Sequence, residues 1–60
     1  MKRVDILRKL RALGFILEEG TNHTKIRDQD GHFLGIVGRH NEIKERDVRN
    51  IEKQTGTKLA

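Results

Sequence analysis

Five of the six glycines cut this chain into short pieces, and that punctuation limits what it can fold into. Gly14, Gly20, Gly31, Gly38 and Gly56 each stand at an edge of a hydrophobic pattern. Between them no segment has room for more than one helix or strand. With 60 residues in all, the pieces must share a single core. A domain this small buries only about 60% of the surface its unfolded chain exposes. One domain over 1–60 is therefore expected, with no second domain to close over a cleft. There is no Cys to staple it, so disulfides and thiolate metal sites are excluded.

The first piece is helical. Ile6, Leu7, Leu10 and Leu13 recur at spacings of three, four and seven, with Arg8 and Ala12 opposite. Gly14 reads as the glycine that ends a helix over 4–13. Phe15-Ile16-Leu17 is a short apolar run that suits a buried strand. From Thr21 to Arg27 the pattern alternates: Thr24 and Ile26 point one way, and His23, Lys25 and Arg27 the other. Asp28-Gln29-Asp30-Gly31 is a turn signal. His32 to Gly38 returns, carrying Phe33, Leu34, Ile36 and Val37. A two- or four-residue loop places Phe33 and Val37 with Ile26; a three-residue loop places Leu34 and Ile36 there. The sequence leaves both registers open, and each leaves one apolar pair on the His23 face.

Glu45 to Thr55 is helical again, with Val48, Ile51 and Thr55 on one stripe, Ile43 just before it, and Gly56 after it. The order helix, strand, strand, strand, helix predicts an α+β domain. Its three-stranded antiparallel sheet would carry both helices on one face and leave the other open.

Charge narrows the function classes. The formal net charge is +4, and residues 1–13 account for it: Lys2, Arg3, Arg8, Lys9 and Arg11 against Asp5. Cations and acids balance in the remainder. A basic helix on so small a body suggests a polyanion, with Arg8, Lys9 and Arg11 against a nucleic-acid backbone. The two phenylalanines and absence of Tyr and Trp argue against a base-stacking platform. No apolar run approaches the ~18 residues a membrane span needs. The N-terminus leads into an amphipathic pattern rather than a signal core, so a cytoplasmic protein without membrane contact is expected.

The open face is where chemistry is expected. Parity aligns His23 with Lys25 and Arg27, behind the turn Glu19-Gly20-Thr21-Asn22. Cations beside an imidazole disfavour its protonated form, which suits a base. Such a base removes a ribose 2′-hydroxyl proton while Lys or Arg stabilises the phosphorane. Gly20 lets a backbone approach closely, and Thr21 and Asn22 offer donors to phosphate or to their own turn. Arg39 and His40 follow the third strand and fall near the same end, where a second imidazole could share acid and base roles. The plain alternatives are a solvated surface histidine and ordinary solubility cations. His23, His32 and His40 lack metal-ligand spacing, so no metal is expected.

Several stretches in order carry a family resemblance. They are Leu13-Gly14-Phe15, Gly20-Thr21-Asn22-His23-Thr24-Lys25-Ile26-Arg27, Val37-Gly38-Arg39-His40, Glu42-Ile43-Lys44-Glu45, and Ile51-Glu52-Lys53-Gln54-Thr55-Gly56. Together they resemble the HicA toxins, the RNA-cleaving members of bacterial HicA–HicB toxin–antitoxin pairs. Gly38 stands where the family usually has Pro, and Thr24 where an apolar residue is commoner. The resemblance implies a double-stranded-RNA-binding-like α-β-β-β-α fold. It also implies metal-independent, cofactor-free cleavage of mRNA, His23 as catalyst with the Gly20-Thr21-Asn22 loop before it, and a HicB-like antitoxin covering that face. The rival readings are a non-catalytic RNA-binding module of the same fold and a pure protein-interaction domain.

Overall fold

A computed structural model describes all residues, 1–60. The elements are α1 (Arg3–Ala12), β1 (Ile16–Glu19), β2 (His23–Arg27), β3 (Phe33–Gly38) and α2 (Glu45–Thr55). The three strands form an antiparallel sheet in the order β1-β2-β3. The α+β architecture expected from the element order is the one observed. Ile6, Leu7 and Leu10 of α1 and Val48 and Ile51 of α2 pack with Ile26 and Val37 against one sheet face. Neither helix is long and apolar enough to cross a membrane.

The helix ends follow the glycines. Gly56 adopts φ +70° and returns its N–H to the Glu52 carbonyl, closing α2 where the sequence ends it. Gly14, at φ +95°, turns the chain out of α1 so that the Phe15 N–H reaches the Leu10 carbonyl.

Three findings depart from the sequence reading. First, β1 is not a buried strand over 15–17. It is an edge strand in which Glu18 and Glu19 extend the ladder opposite Lys25 and Thr24, and Ile16 stays exposed. Second, β3 takes neither of the two simple registers. The Asp28 N–H bonds the His32 carbonyl, closing a turn of three residues, and Arg27 pairs with Phe33. A bulge then inserts Leu34, so Ile26 faces Gly35 and Thr24 faces Val37. Val37 is buried and Leu34 packs against the core, while Phe33 and Ile36 remain on the open face. Gly35 faces inward, and the end of the flexible Gln54 side chain of α2 lies where a Cβ would stand.

Third, the chain after α2 returns to the core. Leu59 is fully buried, although no periodic pattern includes it. The Glu52 carboxylate accepts the N–H groups of Leu59 (2.6 Å) and Ala60 (3.1 Å), and Lys9 Nζ donates to the Leu59 carbonyl at 2.8 Å. Those two N–H donors hold the Glu52 carboxyl below the usual glutamate range. At the other end, Arg3 N–H bonds the Asn41 carbonyl and Ile43 N–H bonds the Met1 carbonyl, tying the start of α1 to the segment before α2.

Leu59→Ala is expected to cost about 2–5 kcal/mol, as for other buried leucines. The urea midpoint measures this; a change under about 0.5 kcal/mol would mean the tail is not docked.

Candidate active site on the open sheet face

The site begins with a buried threonine. Thr24 is fully buried, so its hydroxyl must be satisfied within the protein. It donates to Glu19 Oε1 at 2.8 Å and accepts Arg3 Nη2 at 2.5 Å. Arg3 Nε also donates to the Gly38 carbonyl at 2.9 Å. Glu19 Oε2 accepts Arg39 Nη2 at 2.9 Å, and the same guanidinium nitrogen bonds the Gly20 carbonyl. This network joins α1, the β1–β2 turn, β2 and the end of β3. The Glu19 carboxyl lies below its ordinary range, chiefly through the Thr24 hydroxyl and further through the Arg39 and Arg3 charges.

Because Thr24 and Ile26 are held inward, strand alternation turns His23, Lys25 and Arg27 outward. The three residues expected on one face are on one face. Their cross-strand partners are now fixed. Arg27 sits between Ile16 and Phe33, Lys25 between Glu18 and Ile36, and His23 opposite Gly38. The His23 imidazole is half-buried and makes no hydrogen bond.

The two strand cations differ. Arg27 is committed: Nε donates to Glu18 Oε1 at 3.0 Å and Nη1 to the Gly31 carbonyl at 3.0 Å. Its hydrogen bond and charge hold the Glu18 carboxyl below the usual range. Arg27 therefore braces the sheet against the β2–β3 turn. Lys25 pairs with no acid within 4.0 Å, which leaves it as the available cation beside His23.

The turn before His23 is set by close approach. Gly20 N–H bonds the His23 carbonyl at 2.9 Å, and a Cβ on Gly20 would lie 2.8 Å from that same oxygen. No side chain fits there without moving the backbone. Thr21 and Asn22 are exposed at the tip. Arg39 pins this turn through Glu19 and Gly20, so its guanidinium is engaged rather than free. His40 is exposed beside Gly38, its Cδ2 3.8 Å from where a Gly38 Cβ would stand.

Arg8 and Arg11 are not part of this surface. Both are exposed on α1, which packs on the opposite sheet face, and Arg8 is paired with Asp5 at 2.5 Å. Lys9 is bound to the Leu59 carbonyl, as above. The basic helix and the His23 face thus lie on opposite sides of the sheet.

A separate cluster, Asp28, Asp30 and His32, brings ligand-capable atoms within 4.8 Å of one another in the β2–β3 turn. Asp28 Oδ1 already accepts the N–H groups of His32 (2.8 Å) and Asp30 (2.9 Å). These bonds, that of His32 first, lower the Asp28 carboxyl. The cluster is accounted for as a turn clasp, and it sits at the far end of β2 from His23.

Sequence reasoning missed Arg3 and Glu19 as positioning residues. The available signal was Thr24, a polar residue at an inward position, which requires hidden partners. Phe33 on the open face was also not fixed, because only the bulge places it there.

Thr24→Val is expected to lower the melting temperature at neutral pH and to return the Glu19 carboxyl toward 4.5, read by carboxyl NMR titration. A carboxyl lowered in the folded state stabilises above its unfolded value, and that stabilisation fades as pH falls through the folded value. The gap between wild type and Thr24→Val should therefore narrow in acid. A gap that widens there would contradict the network.

Compared with known proteins, the chain matches no family model, no curated protein and no solved structure.

Proposed function

We propose that this protein is a metal-independent endoribonuclease of the HicA toxin type, cleaving mRNA and so suppressing translation. The observation that carries the reading is the pairing of His23 with the unpaired Lys25 on an open sheet face, behind a turn that only glycine fits. An imidazole with no hydrogen bond of its own is free to take a 2′-hydroxyl proton. An ammonium two residues along the strand is placed to balance phosphate charge. An open face admits a polymer.

Phosphate contact falls to Lys25, with Thr21 and Asn22 at the turn tip. Gly20 and Arg39 serve by fixing that turn, and Arg27 by bracing the sheet. Arg8 and Arg11 contribute to the attractive field rather than to contact at His23. The same face exposes Ile16 (47%), Phe33 (56%) and Ile36 (45%) around these cations. An antitoxin of the HicB type would cover those side chains and, with them, His23. A cytoplasmic setting goes with this reading.

One observation favours the second reading, a non-catalytic RNA-binding module. Phe33 stands exposed beside Arg27 and offers one ring for a base to stack on. That reading expects RNA binding that weakens with salt and leaves the RNA intact.

The test is purified protein with RNA, with and without EDTA. Wild type should cleave in both, and His23→Ala should lose about 100-fold or more while its melting temperature barely moves. Equal cleavage by both proteins would remove His23 from the chemistry, and loss in EDTA would remove the metal-free mechanism. Lys25→Ala should weaken RNA binding and reduce the salt slope by about one. Arg27→Ala should act mainly on stability.

A further inference from the structure

We propose that His40 is the second catalytic group of this site, the acid that protonates the leaving 5′-oxygen while His23 takes the 2′-hydroxyl proton. The inference rests on the ribonuclease reading above and deepens it. Two independent features place His40. Gly38 is the cross-strand partner of His23, and directly opposed Cβ positions lie about 4.5–5.5 Å apart. The His40 ring edge lies 3.8 Å from the Cβ position of Gly38. Since Gly38 has no side chain, nothing at that position stands between the two rings. The second feature is Arg39. Its guanidinium is anchored to Glu19 and the Gly20 carbonyl, which fixes the backbone from which His40 projects.

The two imidazoles thus each border the position of Gly38, which carries no side chain. His40 also lines a groove of 720 Å³ between β3 and α2, where the cations Lys44 and Arg46 stand beside the acids Glu42 and Asp47. Neither ring donates or accepts a hydrogen bond within the protein, so both are free for substrate.

The step balances without any further reactant. The 2′-oxygen attacks phosphorus as its proton passes to His23. The bond from phosphorus to the 5′-oxygen breaks, and that oxygen receives a proton from His40. The products are a 2′,3′-cyclic phosphate and a 5′-hydroxyl. His23 gains one proton and His40 loses one. The substrate class is RNA, because the nucleophile is the 2′-hydroxyl.

The experiment compares wild type, His40→Gln and His23→Gln on two short oligonucleotides. One is ordinary RNA containing a bond the wild type cuts. The other has sulfur in place of the 5′-bridging oxygen at that bond, a leaving group that needs no acid. His40→Gln should slow ordinary RNA by about 100-fold or more yet leave the sulfur substrate close to wild type. His23→Gln should slow both. If His40→Gln leaves both unchanged, or slows both equally, His40 is not the acid. If wild type cleaves neither substrate, the ribonuclease reading itself fails and this assignment falls with it. His40 is exposed and makes no hydrogen bond, so the variant should fold, and circular dichroism checks that.

Discussion

The buried hydroxyl of Thr24 is the point on which the geometry of this domain turns. A hydroxyl without access to water must find partners inside. Here the partners come from three separate parts of the chain: Arg3 and Glu19 directly, and the adjacent Gly38 and Arg39 through them. The cross-links fix β2 at its second residue, so the neighbouring His23 has only one side on which to project. An apolar residue at 24 would fill the space but would leave Arg3 and Glu19 to be satisfied elsewhere.

The distribution of charge acquires a different meaning once the partners are known. In sequence, the excess of cations in residues 1–13 suggests a nucleic-acid contact surface. In the fold, Arg3 serves the Thr24 network, Arg8 pairs with Asp5, and Lys9 holds the returning tail. Much of the excess is spent within the domain, and what remains lies across the sheet from His23. The local charge beside His23 is small, because Arg27 is neutralised by Glu18 and only Lys25 is left over.

How much was legible follows from how local each signal is. The bounds of α2 could be read outright, since a 3.6-residue stripe and a terminal glycine are properties of adjacent residues. The outward row of His23, Lys25 and Arg27 could be read from parity alone. The bulge at Leu34 could not, because it reconciles a three-residue turn with a core that needs Val37, and both requirements are tertiary. Leu59 could not either: one leucine has no period, and its backbone is held by the Glu52 carboxylate seven residues earlier, near the end of α2. The engagement of Arg27 and Arg39 was hidden for the same reason. A cation in sequence gives no sign of whether an acid on another strand will claim it. His40 was placed near His23 only in outline, and its approach to Gly38 needed the register.

The turn and the bulge between β2 and β3 make a coupled count. An odd turn taken alone would swap the faces of β3, and one inserted residue swaps them back for everything beyond it. The parity that keeps Val37 against Ile26 therefore belongs to the sum of the two features and to neither by itself. A natural change of one residue in turn length would be absorbed if the bulge vanished with it, leaving the half of the sheet that bears His23 undisturbed. Only the half that bears Phe33 would be rewritten. The hairpin is built so that variation collects at one end of the sheet and the imidazole end stays in register.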